Sequence, residues 1–302
     1  MDGIGIEPRV LIAGGAGYLG SVVRTHLTAQ GYRCQILTRS PKQAGELAWD
    51  GKTVGDWKSS LEGAAAIINF SGASISKKWT ESYRKAIITS RVEPASAIGL
   101  ALAQCASPPP VWISGCAAGI YGDTGEAEAT EEAPSGKGFL AHVCREWEAA
   151  VLEFETAGTR KVILRTGNML GRGGGMLPIL TRLASWCLGS AQGSGRQWVS
   201  WIHEMDFART VLWAIENPVT GPINAVAPSP VRNARLMAEL RRFKHRPWVP
   251  NAPAWAIRAV GSLGGPDPSL ALMSSRVLPA KLIENGFAFE FPDVGPALRD
   301  LL

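Results

Sequence analysis

The stretch RVLIAGGAGYLG, residues 9–20, places closely spaced glycines between an apolar run and an amphipathic segment. The apolar run predicts a buried strand, and the segment SVVRTHLTAQG after it predicts a helix. Gly14, Gly17 and Gly20 permit a tight turn and let backbone N–H groups approach a pyrophosphate at the helix N-terminus. The glycines alone also fit a turn that binds nothing, but their place between strand and helix favours a dinucleotide site.

Further apolar runs follow the first one and read RCQILTR, AAAIINFSG, VWISG and KVILRTG. Helical stretches are predicted at about 79–103 and 139–157. Apolar strands that alternate with helices are typical of a parallel sheet covered on both faces. The sequence therefore predicts an α/β fold with a doubly wound, Rossmann-type parallel sheet.

After the last of these strands the pattern becomes irregular, with glycine-rich stretches and a C-terminal region rich in proline and tryptophan. INAVA, residues 223–227, is typical of a strand that returns to the main sheet. We therefore expect residues 1–171, with 206–227 returning to them, to form the nucleotide-binding domain. The stretches 172–205 and 228–302 are expected to form a smaller substrate or lid domain.

Composition excludes several classes of protein. A chain of 302 residues with 46% hydrophobic residues can bury a large core, and no apolar run is long enough to span a membrane. Five scattered cysteines without a close pair argue against a disulfide framework or a metal site and favour a reducing, cytoplasmic setting. The basic segment 232–246 has the spacing of a solvated helix face, so nucleic acid is not an expected partner.

The end of the second predicted strand indicates which dinucleotide binds. It reads Leu37-Thr38-Arg39-Ser40 and lacks the acidic residue that would accept hydrogen bonds from both ribose hydroxyls of NAD. The guanidinium of Arg39 instead suits a 2′-phosphate, although an exposed loop arginine is the alternative interpretation. NADP is therefore the expected cofactor.

GGAGYLG, NFSGAS, ISGCAAGIYGD and RTGNMLG together resemble the extended short-chain dehydrogenases/reductases. Other stretches, among them KKWTESYRKAIITSRVE, GSGRQWVSWIHEMDFAR and INAVAPSPVRN, resemble an atypical branch described as sugar-nucleotide-epimerase-like. The resemblance spans nearly the whole chain. It implies a Rossmann-type domain that binds NADP(H) and a small C-terminal lid that forms the substrate pocket.

The resemblance also implies which residues contact the cofactor. Arg91 stands where extended enzymes often carry an asparagine, and its charge would pair with a cofactor phosphate or form a salt bridge on the helix surface. The implied cofactor contacts are Gly14, Gly17, Tyr18, Leu19, Gly20, Thr38, Arg39, Phe70, Ser71 and Arg91.

The usual catalytic residues of the extended enzymes are missing. Leu140 stands at the place of their proton-transferring tyrosine, Cys144 at the place of their lysine, and Cys116 at the place of their serine. Two candidate substitutes remain. Tyr121 would act as an acid or be a packed ring with a satisfied hydroxyl, and Cys116 would be a weak donor or a small buried hydrophobe.

Candidate substrate contacts follow from the same resemblance. Asn168 matches an asparagine that extended enzymes present to a nucleotide-linked substrate, and Gln197, Trp198 and Trp201 would contact it from the lid unless they only pack there. The first hypothesis is therefore an NADP(H)-dependent oxidoreductase or epimerase whose small-molecule substrate is a nucleotide sugar or a similar polar metabolite. The alternative is a non-catalytic NADP(H) sensor or interaction protein.

Overall fold

The centre of the molecule is a seven-stranded β-sheet. This description rests on a computed structural model that describes residues 7–263 and 265–302. All neighbouring strands in the sheet are parallel. The strands of the described chain are β1 (Arg9–Ala13), β2 (Arg33–Thr38), β3 (Glu46–Ala48), β4 (Ala66–Asn69), β5 (Val111–Ala117), β6 (Arg160–Thr166), β7 (Asn168–Leu170), β8 (Trp198–Val199), β9 (Trp201–His203), β10 (Gly221–Ala225) and β11 (Val231–Arg232). The order of the strands in the central sheet is β10-β6-β5-β4-β1-β2-β3.

Helices cover both faces of this sheet. In β1, Val10 and Ile12 pack in one apolar cluster, and Leu11 and Ala13 pack in another on the opposite face. The prediction of a doubly wound α/β fold is therefore confirmed. The helices are α1 (Tyr18–Ala29), α2 (Glu81–Leu102), α3 (Phe139–Leu152), α4 (Leu177–Ser185), α5 (Glu204–Glu216), α6 (Asn233–Phe243), α7 (Ala254–Ser262), α8 (Ser269–Leu272), α9 (Ala280–Glu284) and α10 (Val294–Leu301).

Different helices pack on the two faces of the sheet. The cluster that contains Val10 also holds Leu27 of α1 and Phe207 of α5. The cluster that contains Leu11 also holds Ile98 of α2 and Trp147 of α3. Because apolar burial contributes about 25 cal/mol per Å², these two layers supply most of the driving force that fixes the sheet and the loops at its edge.

Some element boundaries differ from the expected ones. The helix after residue 139 ends at Leu152, earlier than predicted, because a turn closed by Thr156 Oγ1 and Thr159 O precedes β6. The edge strand β3 has only three residues, and its alternation is too short to predict from sequence. The returning strand is confirmed, since β10 pairs with β6, with Ile223 opposite Leu164.

A third apolar cluster lies in the C-terminal half and joins α4, α6 and α10. It includes Leu180 of α4, Leu236 and Leu240 of α6, and Leu298 of α10. The basic segment thus forms a helix with a buried apolar stripe, as its spacing predicts. Each helix in the described ranges is too short or too polar to cross a lipid bilayer.

His203 joins the start of α5 to the C-terminal segment. Its Nδ1 accepts a hydrogen bond of 3.0 Å from Met205 N and thereby caps the helix, while Nε2 lies 3.3 Å from Asp300 Oδ2. The ring stacks on Phe291 with a centroid distance of 3.8 Å. Burial lowers the pKa of His203 below its usual value, because a buried cation is poorly solvated.

We expect the protein to lose stability in mild acid because of His203. Below pH about 6.5 this residue is protonated in the unfolded chain but stays neutral in the native state. The free energy of unfolding therefore falls by up to about 1.4 kcal/mol for each pH unit of acidification. Urea unfolding of His203→Asn, which keeps a capping side chain, should show a smaller slope between pH about 6.5 and 5.5. His142→Asn, on an exposed helix face, should keep the wild-type slope, and equal slopes in all three proteins would contradict the assignment.

Candidate functional site

The candidate site lies at the carboxyl edge of the sheet, where the strand order reverses between β1 and β4. Crevices at such reversals are where doubly wound sheets bind their ligands. Gly14 follows β1 with φ +75°, and an added Cβ would lie 2.7 Å from the carbonyl carbon of Phe70, which follows β4. Glycine is therefore required here for both conformation and space.

The N-terminus of α1 opens into this crevice. Gly17 precedes the helix, and no side chain caps the first-turn N–H groups. Tyr18, Leu19 and Gly20 line the crevice, and no acidic residue lies in the first turn. Free N–H groups together with the helix dipole attract an anion, so the turn fits a pyrophosphate group.

A first cavity of about 570 Å³ runs from this turn to the end of β2. Thr38 and Arg39 line it, as does Lys52, which forms an ion pair of 3.2 Å with Glu93. Arg39 is exposed and makes no hydrogen bond or ion pair within the described part of the chain. Its guanidinium is thus available to a phosphate.

A second cavity of about 570 Å³ extends from the same turn toward the C-terminal half. Both cavities share Gly14, Gly17, Phe70 and Ser71, so they form one continuous path along the sheet edge. The second cavity is walled by the ends of β5 and β6, by α3, and by the segment around Met273. The path is therefore continuous from Arg39 to the C-terminal segments that line the second cavity.

Tyr18 forms part of the wall between the cofactor turn and the glycine-rich loop 171–175. Its hydroxyl donates a hydrogen bond to Glu204 of α5, and the ring lies against Gly173 and Gly174. Burial and the Glu204 carboxylate raise the pKa of Tyr18. The loop 171–175 thus packs closely on Tyr18 because its glycines have no side chains.

Arg91 points inward from α2 rather than outward to solvent. It donates hydrogen bonds to the carbonyls of Ile87 at 2.9 Å and Ala73 at 3.1 Å, and its guanidinium carbon lies 5.2 Å from the Trp147 ring centroid. A Cβ on Gly72 would lie 3.0 Å from that carbon. The alternative of a surface salt bridge is therefore wrong, since Arg91 lines the second cavity and has no carboxylate partner in the ranges described.

Cys116, Cys144 and Leu140 lie together on the wall of the second cavity. The Cys116 thiol contacts the carbonyl oxygen of Cys144 at 4.0 Å, and the Cys144 thiol contacts Ala117 O at 3.6 Å. Burial raises the pKa of Cys116 well above its usual value. Cys116 is thus a neutral thiol at neutral pH, which makes it a weak donor and not a nucleophile.

Tyr121, the predicted proton donor, is absent from the described residues that line the two cavities. Its hydroxyl donates to Asn224 Oδ1 at 2.7 Å and accepts from Arg165 at 2.8 Å. Burial raises the pKa of Tyr121 to about 12. The side chain belongs to a buried network in which Arg165 also forms a bidentate ion pair with Glu148. These contacts fit the alternative interpretation, a packed ring with a satisfied hydroxyl.

The predicted substrate residues divide into two groups. Asn168 and Trp198 line the second cavity, and Asn168 Nδ2 donates to Ser200 O at 3.0 Å. Trp201 is fully buried in the third apolar cluster. Gln197 is buried as well, and its Nε2 donates hydrogen bonds to Gln192 O and Ala271 O. Substrate contact by Trp201 and Gln197 is therefore not supported, because packing and backbone hydrogen bonds occupy them.

Trp198 is also held in a way that sequence did not predict. The guanidinium carbons of Arg232 and Arg276 lie 3.9 and 4.6 Å from its ring centroid, and Nε1 donates to Glu126 at 3.1 Å. The ring faces are thus occupied by cations. Sequence reasoning missed several wall residues because they come from separate segments with no motif: Gln192, Asn233, Leu270, Met273 and Ser275.

A family model described as the NAD dependent epimerase/dehydratase family matches residues 10–226, and a second model, a domain of unknown function, matches residues 252–301. The first match covers the sheet and the glycine turn. The chain belongs to the NAD dependent epimerase/dehydratase family. The recognition of an epimerase-like member of the short-chain dehydrogenases/reductases is thereby confirmed.

Individual relatives agree with this assignment. The epimerase family protein YfhF of Bacillus subtilis is 34% identical over 305 residues, covering 97% of this chain and 97% of its own. The crystal structure of the human epimerase family protein SDR39U1 with NADPH has a TM-score of 0.89 and 30% identity, covering 97% of this chain and 98% of that one. A nucleoside-diphosphate sugar epimerase from Corynebacterium glutamicum has a TM-score of 0.79 and 33% identity, covering 97% of this chain and 58% of that longer one.

Proposed function

We propose that this family member binds NADP(H) along the sheet edge and acts as an oxidoreductase on a small molecule in the second cavity. The observation that carries the proposal is the continuity of the two cavities, which share Gly14, Gly17, Phe70 and Ser71. A cofactor that spans this path has one end at Arg39 and the other beside the lid. The NADPH bound to the human relative supports the choice of cofactor.

The chain's own residues fit such a cofactor. The first-turn N–H groups of α1, behind Gly17, would hold the pyrophosphate, and Thr38 with Arg39 would hold the ribose phosphate. Phe70 and Ser71 would lie against the middle of the molecule. When bound, the nicotinamide ring supplies a hydride donor or acceptor.

We expect Arg39→Ala to weaken NADPH binding about tenfold and to leave NADH binding unchanged, because a charge-assisted hydrogen bond to a phosphate contributes about 1.5–3 kcal/mol and Arg39 is exposed. Fluorescence titration with both cofactors measures the effect. Arg33→Ala, at the opposite end of β2, is the matched control and should change neither affinity. An equal loss for NADPH and NADH would show that Arg39 does not recognise the 2′-phosphate.

In the absence of the usual tyrosine and lysine, other residues of the second cavity would bind and polarise the substrate. Cys116, at the end of β5, is the candidate donor to a substrate carbonyl, and Asn168 lies on the same cavity wall. The thiol's 4.0 Å contact with Cys144 O is too long to compete with a bound carbonyl. A neutral thiol polarises the carbonyl by a weak hydrogen bond without giving up its proton.

We expect Cys116→Ser to raise kcat/KM for carbonyl reduction about tenfold, because a hydroxyl is a stronger donor in the same place, and Cys116→Ala to lower it. Steady-state oxidation of NADPH with a carbonyl panel measures both. Cys187→Ser, on an exposed turn, is the control and should behave as the wild type. If serine and alanine have the same effect, the side chain at position 116 does not contact the reacting group.

A non-catalytic NADP(H) sensor is the second candidate. The specific observation in its favour is that Leu140, which transfers no proton, faces the second cavity at the place of the usual tyrosine. NADPH oxidation with a broad carbonyl panel discriminates between the candidates. Turnover that requires the intact second cavity supports the oxidoreductase, and NADPH binding with no turnover of any panel member supports the sensor.

A further inference from the structure

The wall of the second cavity is almost free of charge. Among the described residues that line it, Arg91 alone is an arginine or lysine, and none is an aspartate, a glutamate or a histidine. Arg91 lies on the α2 side, next to the cofactor path, and its guanidinium is engaged by two backbone carbonyls. The lid side is built from neutral groups, which include Trp198, Asn233, Leu270 and Met273.

The two arginines next to Trp198 form ion pairs with carboxylates. Arg232 forms hydrogen bonds of 2.6 and 3.0 Å with the Glu126 carboxylate, and Arg276 lies 2.8 Å from a Glu128 oxygen. Both arginines contact the Trp198 ring, and neither is among the described residues that line the cavity. A diphosphate there would have to displace these ion pairs and would meet two carboxylates, which repel it. The lid side therefore favours an uncharged substrate over a nucleotide sugar.

Proton supply restricts the substrate further. The titratable O–H and S–H donors on the described wall are Tyr18, Cys116 and Cys144. Tyr18 is committed to Glu204, and burial raises the pKa of both Tyr18 and Cys116. Cys144 directs its thiol to Ala117 O at 3.6 Å. Reduction of an isolated ketone yields an alkoxide whose basicity, close to that of hydroxide, demands a proton donor in the transition state.

A dione whose two carbonyls are conjugated through a ring that becomes aromatic on reduction avoids this demand. Its two-electron reduction yields an anion that resembles a phenolate, whose conjugate acid has a pKa of about 10. Such an anion leaves the cavity without a proton from the protein and is protonated by solvent. The weak hydrogen bond from Cys116 is then sufficient to orient and polarise the carbonyl.

We propose that the second cavity takes an uncharged, conjugated dicarbonyl of the quinone class, an inference that rests on the proposed oxidoreductase function. In this reaction the quinone accepts a hydride from NADPH and a proton from water, which yields the hydroquinone, NADP⁺ and hydroxide. The two carbon–oxygen double bonds of the quinone become carbon–oxygen single bonds, and its ring becomes aromatic. No protein group changes its protonation state over the cycle.

The test compares duroquinone, cyclohexanone and UDP-glucose as probes with the full-length protein. Duroquinone carries four methyl groups that block addition of cysteine thiols, so its chemistry is limited to reduction. NADPH binding is measured first by fluorescence. Calorimetric titration of each probe onto the NADP⁺ complex then measures binding without turnover, and NADPH oxidation measures turnover.

Met273→Trp, which fills the lid side of the cavity, is paired with Leu263→Trp, which adds the same ring at a position that is 89% exposed. We expect duroquinone to be reduced about a hundredfold faster than cyclohexanone, and UDP-glucose to give neither binding heat nor turnover. Met273→Trp should weaken duroquinone binding and turnover at least tenfold with an unchanged NADPH affinity. Leu263→Trp should match the wild type.

The contrary outcomes distinguish the two proposals. Tighter binding of UDP-glucose than of duroquinone, lost in Met273→Trp, would overturn the substrate class and leave the oxidoreductase proposal standing. Duroquinone turnover that survives Met273→Trp would also overturn the inference, because the reaction would then occur outside this cavity. NADPH binding without turnover of any of the three probes would overturn the oxidoreductase proposal, and this inference with it.

Discussion

Replacing Gly17 by valine is expected to raise the dissociation constant for NADPH at least a hundredfold while the protein still folds. Among the described residues, a Cβ at this position has one near neighbour, Gly14 O at 3.2 Å, and Gly17 has an ordinary φ of −79°. We therefore expect the turn to accept a side chain after a shift of a few tenths of an ångström. The added methyl groups would instead stand in front of the first-turn N–H groups of α1. A hundredfold loss corresponds to about 2.7 kcal/mol of binding free energy.

Fluorescence titration with NADPH and thermal unfolding together check this result. Gly295→Val is the matched control, because a Cβ at Gly295 has no neighbour within 4 Å and the site is remote from the crevice. Its NADPH affinity should equal that of the wild type. If Gly17→Val binds NADPH normally, the N-terminus of α1 is not where the cofactor lies.

Replacing Glu148 by alanine is expected to cost about 3–5 kcal/mol of unfolding free energy. The Arg165–Glu148 pair is bidentate, with N···O distances of 2.8 and 2.9 Å, and its side chains are only 10% and 12% exposed. Without the carboxylate, a largely desolvated guanidinium keeps Tyr121 Oη and Glu131 O as its acceptors among the described residues. Alanine is a good helix former, so the loss does not reflect helix propensity.

Chemical denaturation measures the change, with Glu146→Ala in the same helix as the control. Glu146 is half-exposed and pairs with His142 at 3.7 Å, so its removal should change stability by no more than about 0.5 kcal/mol. The double variant Arg165→Met/Glu148→Leu should recover much of the loss, because it removes the buried charge as well. A loss below about 1 kcal/mol in Glu148→Ala would contradict a buried role for the pair.

The cofactor half of the site was predictable because its determinants are local in sequence. Gly14 and Gly17 stand between a strand and a helix, and both backbone conformation and N–H exposure depend on that immediate context. Arg39 follows directly from the end of β2. In each case a single segment of the chain positions the residue, so the residue type and its spacing in the sequence are enough to predict where it lies.

The reacting half was not predictable in the same way. Tyr121 follows β5 at the ligand-side edge of the sheet, but its neighbours Arg165 and Asn224 lie 44 and 103 positions further along the chain. Whether a polar side chain faces a cavity or completes a buried network depends on such distant partners. The places of Trp201 and Gln197 also depend on distant partners. Trp201 packs in the third apolar cluster, and Gln197 donates a hydrogen bond to Ala271 O.

By itself the sequence determined the parallel sheet, the glycine turn at its edge and the absence of the usual tyrosine and lysine, because hydrophobic periodicity, turn chemistry and residue identity are properties of short segments. Only the tertiary structure decided that Arg91 turns inward and that Arg232 and Arg276 are held by carboxylates away from the cavity. It also decided that the described C-terminal residues that line the second cavity are uncharged. These properties depend on side chains from remote segments that compete for the same partners, and that competition is resolved only when the chain is folded.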